Sequence, residues 1–235
     1  MSDKSPIIIA IDTTEIDKAR DLLKRVHPFV SVFKVGLEFF LAHGADGVEK
    51  LRNQTPNLDL FLDLKLHDIP NTVKGAANAI ARLAPTFLTV HASGGSAMIQ
   101  SAVGALPGTQ ITAVTVLTSL DRSEFGHMGL SEEIAELTSS LARNAVENGA
   151  RALVCSPLEV SRLRNELGDE VVLITPGVRP NDQVSRATTG DDQKRTMTPR
   201  EAIASGADYL VIGRPISASE NPADAARRIL EELAC

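Results

Sequence analysis

The chain has 235 residues, 43% of them hydrophobic, with 24 basic and 30 acidic side chains and a formal net charge of −6. No basic run is present, which argues against nucleic acid or an anionic membrane as partner, and no stretch approaches the roughly 18 apolar residues of a membrane span. Two thiols, Cys155 and Cys235, are too few for a disulfide framework or a thiolate metal centre, and residues 1–6 lack the basic and apolar regions of a signal peptide, so a soluble cytoplasmic protein is expected.

In chain order, Ile7 to Asp12 reads as a short apolar strand ending in a carboxylate. Thr14 is placed to cap a helix with Ile16, Ala19, Leu22, Leu23 and Val26 on one face. Ser31 to Gly36 forms a second strand with Lys34 inside it, and the helix that follows is expected to break at Gly44. A third strand covers Leu58 to Leu66, and its helix starts near Asn71 with apolar positions at Val73, Ala76, Ala77, Ile80 and Leu83. Phe87 to Ala92 and Ile111 to Leu117 are strands four and five. A polar loop then leads to a helix from Ser131, with Glu132 and Glu133 in its first turn and Gly149 past its end.

Ala152 to Cys155 is strand six, and Ser156-Pro157-Leu158-Glu159 carries the N-cap, first-turn proline and glutamate of a capping box. Val171 to Thr175 is strand seven. Thr198-Pro199-Arg200-Glu201 repeats the capping pattern, Leu210 to Ile212 is strand eight, and Asn221-Pro222 opens the last helix. Eight apolar strands alternating with amphipathic helices predict an α/β protein in which residues 1–235 form a single (β/α)8 TIM barrel. An open doubly wound sheet is the alternative, but it would want a glycine-rich turn where this chain has Asp12-Thr13-Thr14.

The third strand carries the chemistry. Leu58, Leu60, Phe61, Leu62, Leu64 and Leu66 form the apolar run of a strand buried on both faces, yet Asp63, Lys65 and Asp68 interrupt it. Buried charge is costly unless paired. Asp63 and Lys65 are two apart and share one face, so that face is either a structural ion pair or the polar open end of a barrel. The third charge and the Pro70-Asn71-Thr72 turn favour an active site. Other strand ends agree, since Asp12, Lys34, His91, Thr118, Ser119, Arg179 and Arg214 all fall at or past them, where barrel active sites lie. Gly177 and Gly213, with Arg179 and Arg214 beside them, have the make-up of a phosphate corner. The long polar stretch from Pro180 to Thr196 reads as a lid.

The run Asp63-Leu64-Lys65-Leu66-His67-Asp68-Ile69-Pro70-Asn71-Thr72 resembles the signature of the orotidine 5′-phosphate decarboxylase family. The resemblance extends over Ala10-Ile11-Asp12, Lys34-Val35-Gly36, His91 to Gly95, Thr115 to Ser119, Thr175 to Pro180, Asp192 to Arg195 and Ile212 to Pro215. Leu66, where many relatives have Phe, lies between the charged positions. The resemblance implies decarboxylation of orotidine 5′-monophosphate to uridine 5′-monophosphate and CO2, the last step of de novo pyrimidine synthesis, without metal or organic cofactor.

It also implies roles. Lys65 would deliver the proton within an alternating array of Lys34, Asp63, Lys65 and Asp68, and Asp63 would face the substrate carboxylate. Asp68 and Thr72 would arrive from the partner of a homodimer. Asp12, Lys34 and that Thr72 would hold the ribose, Thr118 and Ser119 the pyrimidine edge, and Arg179, Gln193, Gly213 and Arg214 the phosphate. Leu64, Leu66, His67, Ile69, Pro70 and Asn71 complete the substrate-binding segment. His67 and His91 read as structural rather than catalytic. Two rivals remain: a magnesium-dependent phosphosugar decarboxylase or aldolase of the same superfamily, and a catalytically silent nucleotide-binding barrel. The first would need a carboxylate where Lys34 stands, and the second would be expected to have lost one of the charges.

Overall fold

The computed structural model describes residues 4–131, 133–180 and 196–234. Among them the strands β1 (Ile7–Ile11), β2 (Val32–Gly36), β3 (Asp59–Leu66), β4 (Phe87–His91), β5 (Gln110–Val114), β6 (Ala152–Val154), β7 (Val172–Thr175) and β8 (Tyr209–Ile212) pair in parallel and in chain order. β1 closes on β8, with Ile8 opposite Val211, so the wall is a complete (β/α)8 barrel and not an open sheet. Outside it lie α1 (Ile16–Val26), α2 (Leu37–Arg52), α3 (Pro70–Ile80), α4 (Ser96–Ala105), α5 (Arg122–His127), α6 (Ile134–Glu147), α7 (Val160–Leu167), α8 (Pro199–Ala204), α9 (Arg214–Ser217) and α10 (Pro222–Ala234). Among the described residues no helix is long and apolar enough to cross a membrane.

The strand period of two divides the wall residues into two cores. Ile7, Ile9, Phe33, Val35, Leu60, Leu62, Leu88 and Val90 belong to the large cluster between strands and helices. Ile8, Val32, Phe61, Phe87, Ala152 and Ile174 form a second cluster filling the barrel. Phe87 meets Phe61 and Tyr209 edge-on, with ring centroids 5.6 and 5.8 Å away. Each fully buried side chain of this size contributes about 1.5–3 kcal/mol. One pleat further along β1, β2 and β3 the same inward face carries Ala10, Lys34 and Asp63. The apolar plug is therefore the floor on which the charged layer stands.

Most expected elements are present within a residue or two, and the differences have local causes. Thr14 does not cap α1: Glu15 occupies that place without a side-chain cap bond, while Thr13 Oγ1 accepts the Glu15 N–H at 3.1 Å. The break at Gly44 lies inside α2, where the backbone turns to φ +60°, ψ −163°, a region that essentially only glycine adopts. β5 ends at Val114 rather than Leu117, and Thr115 N–H bonds the Val154 carbonyl beyond the strand. Glu133 is the N-cap of α6 rather than a first-turn residue, and Glu132 lies outside the described residues. The loop expected after β5 holds α5, and a further short helix, α9, follows β8 directly.

Candidate active site

The charged layer begins with a defect in the wall. Leu62 pairs with Leu88 and Leu66 with Val90, so Asp63, Leu64 and Lys65 of β3 share the single residue Thr89 of β4. A bulge of this kind bends the strand and redirects side chains. Lys65 takes φ +48°, in the left-handed region that side-chain-bearing residues seldom occupy. Its amide then donates to Thr89 Oγ1 at 2.7 Å, and Thr89 donates in turn to Asp63 Oδ1 at 3.1 Å.

Asp63 is the hub. Its two carboxylate oxygens lie 2.8 Å from Lys65 Nζ and 3.2 Å from Lys34 Nζ. Lys34 Nζ also lies 3.8 Å from Asp12 Oδ1, so the charges alternate in sign across three strands. Burial alone would raise the Asp63 pKa, but the Lys34 and Lys65 ammoniums outweigh it and hold the carboxyl below its ordinary value. The magnitudes agree with that direction: opposite unit charges about 4 Å apart attract by about 4 kcal/mol at an effective dielectric of about 20, and here there are two such partners. Asp63 is therefore ionised at neutral pH.

A cavity of about 380 Å³ opens above this layer. Of the residues singled out in the sequence it gathers Asp12, Lys34, Asp63, Lys65, Thr118, Ser119, Arg179, Gly213 and Arg214, from six strand ends. Phe61, Val114, Val116, Val154 and Val211 add apolar lining. Beyond β7 and β8 the backbone is shaped for close approach. Gly177 has φ +76°, and a side chain at Gly213 would bring its Cβ to 3.3 Å from Asp12 Oδ2. The chain on either side of residues 181–195 is tied by Arg179 N–H to the Met197 carbonyl at 3.0 Å. Gln193 and most of the expected lid lie outside the described residues.

The rest of the signature points elsewhere. Leu64 is buried in the outer core and Leu66 packs against it. His67, Asp68, Ile69, Pro70, Asn71 and Thr72 are all exposed and outside this chain's own cavity. Asp68 Oδ1 accepts its neighbour Ile69's N–H at 2.6 Å. His67 and His91 lie side by side, ring centroids 5.2 Å apart, with Ser93 Oγ 3.5 Å from His67 Nε2. Burial first, then the neighbouring His67 and Lys65 charges, lower the His91 pKa.

Comparison with known proteins decides the family. The model of the orotidine 5′-phosphate decarboxylase / HUMPS family matches residues 5–229. The chain belongs to this family. Among similar family members, orotidine 5′-phosphate decarboxylase of Thermobifida fusca is 51% identical over 97% of this chain and 96% of its own. That of Paramagnetospirillum magneticum is 44% identical over 97% and 98%. A crystal structure of orotidine 5′-phosphate decarboxylase from Lactobacillus acidophilus superposes with a TM-score of 0.84 at 36% identity, covering 98% of this chain and all of that one.

Sequence reading missed the apolar lining from Val114, Val116, Val154 and Val211, and it missed Thr89, which is bonded to both Asp63 and Lys65. A threonine inside a strand is unremarkable, and its importance comes from the bulge opposite, which no local pattern announces. The only available sign was its place two residues before His91, on the face that also carries the charges.

Proposed function

We infer that this chain decarboxylates orotidine 5′-monophosphate to uridine 5′-monophosphate and CO2, the last step of de novo pyrimidine synthesis. The observation that carries the reading is the Asp63 carboxylate clasped between the Lys34 and Lys65 ammoniums on the floor of the barrel cavity. In the reaction the bond from C6 to the carboxylate breaks, CO2 leaves, and the electron pair stays on C6. That pair lies in an sp² orbital and is poorly delocalised, so it needs a nearby positive charge and then a proton. Lys65 Nζ supplies both, and solvent returns the proton to Lys65 afterwards. Asp63 orients Lys65 and faces the departing carboxylate, so repulsion between the two is relieved as CO2 leaves.

The remaining cavity residues divide by chemistry. Asp12 and Lys34 hold ribose hydroxyls, while Thr118 and Ser119 meet the pyrimidine edge. Arg179, Gln193, Gly213 and Arg214 hold the phosphate, so that remote binding supports closure over the reacting ring. The same reading makes the protein a cytoplasmic homodimer in which Asp68 and Thr72 complete the neighbour's site. Its support is that both side chains stand exposed, beside an Ile69 that is 67% exposed.

The magnesium-dependent alternative is disfavoured by donor chemistry. The place between Asp12 and Asp63 where a divalent cation would need oxygen ligands is taken by the Lys34 ammonium, 3.8 and 3.2 Å from the two carboxylates. The test is the ultraviolet absorbance of orotidine 5′-monophosphate mixed with purified protein in excess chelator. The absorbance should change to that of uridine 5′-monophosphate at the same rate with and without chelator. Activity lost in chelator and restored by Mg²⁺ would overturn the reading, as would no turnover in either condition.

A further inference from the structure

We propose that Thr89 is a positioning residue for the decarboxylation: its hydroxyl sets the geometry of both Asp63 and Lys65 through the β3 bulge. The inference rests on the decarboxylase reading of the same cavity. Thr89 is fully buried, so its hydroxyl has no water to fall back on. It accepts the Lys65 amide proton at 2.7 Å and lies 3.1 Å from Asp63 Oδ1. A hydroxyl carries one proton. With the Lys65 amide on its lone pair, that proton is directed to the carboxylate.

The result is a closed ring of contacts. Lys65 N–H donates to Thr89, Thr89 donates to Asp63 Oδ1, and Asp63 Oδ1 accepts from Lys65 Nζ at 2.8 Å. Backbone and side chain of the same lysine are thus tied to one carboxylate oxygen. The ring also explains how the left-handed backbone at Lys65 persists. In an unbroken parallel ladder the amide would bond a β4 carbonyl, whereas here three β3 residues share Thr89 and a side chain receives the amide instead. Without the hydroxyl, a half-buried amide loses its partner while φ +48° remains unfavourable, so the bulge relaxes and carries Nζ away from its place. Catalytic groups displaced by about 1 Å can cost about 10²-fold in rate.

The test compares Thr89→Val, which keeps the shape and removes donor and acceptor, with Thr89→Ser, which keeps the hydroxyl and loses a methyl. Wild-type protein turning over orotidine 5′-monophosphate is the control for the underlying activity; its failure sinks the decarboxylase reading, whatever the variants do. Given that activity, Thr89→Val should lower kcat about 10- to 100-fold while KM and the affinity for uridine 5′-monophosphate change less than about twofold, the signature of displaced reacting groups beside an intact binding site. Thr89→Ser should stay within about threefold of wild-type kcat. A Val variant with wild-type kcat, a loss confined to KM, or a Ser variant as slow as Val would each overturn the proposal. If Thr89→Val does not fold, Thr89→Ala replaces it with the same expectation; failure of both to fold would make the hydroxyl a requirement of the barrel and overturn the positioning role.

Discussion

Lys65 and Arg214 line one cavity from different strand ends and should fail in different ways. Lys65→Ala removes the proposed proton donor but leaves the residues that would grip phosphate, so turnover should vanish while uridine 5′-monophosphate still binds. Arg214→Ala should instead mainly raise KM, by the roughly 1.5–3 kcal/mol of a charge-assisted hydrogen bond, about 10- to 150-fold. Steady-state kinetics and equilibrium binding of the product separate the two, and near-normal decarboxylation by Lys65→Ala would refute its role. At this scale the charged residues were legible because charge inside an apolar strand demands an explanation. Asp63 could be suspected from its neighbours alone. Thr89 could not, since its hydroxyl acquires a role only where Asp63 and Lys65 crowd one β4 residue. Nor does any residue pattern specify the left-handed backbone at Lys65.

Among the elements, the helix starts written in cap chemistry were the most readable. Thr198 Oγ1 accepts the Glu201 N–H at 3.2 Å, and Glu201 Oε2 accepts the Thr198 N–H at 3.0 Å, the reciprocal pair expected from Thr-Pro-Arg-Glu. Ser156 and Glu159 open their 3₁₀ turn in the same way, with Glu159 Oε2 accepting the Ser156 N–H at 3.1 Å. Thr198→Ala should therefore cost about 1 kcal/mol, lowering the melting temperature by about 2–4 °C in a chain of this size. Differential scanning calorimetry reads that shift, and an unchanged melting temperature would mean that the cap contributes nothing. α5 was missed although its cue is present: Asp121 accepts from the Ser123 and Glu124 amides, an N-cap within a stretch that polarity made look like loop. α9 was missed because its four residues are too few to show a helical period.

For the whole molecule, the barrel order was legible because alternation of strand and helix leaves little freedom once the sheet is parallel. Assembly was not, because one chain carries no record of its neighbour's contacts. The motivation for a shared site is the position of Asp68. Asp63 and Lys65 lie in their own barrel's cavity, but Asp68 comes after the end of β3 and is exposed, bonded to the backbone of Ile69. Either it caps its own turn before α3, or it completes a second subunit's array, and two-fold symmetry would make that exchange reciprocal. Mixing separates these readings. Lys65→Ala and Asp68→Ala proteins, each inactive alone, are dissociated together and allowed to reassociate. In a mixed dimer one site then receives an intact Lys65 from one chain and an intact Asp68 from the other, while the second site carries both lesions. Random pairing makes about half of the dimers mixed, so roughly a quarter of wild-type activity should return. If every barrel relied on its own Asp68, each site would keep a lesion, and mixed dimers shown to have formed would remain inactive.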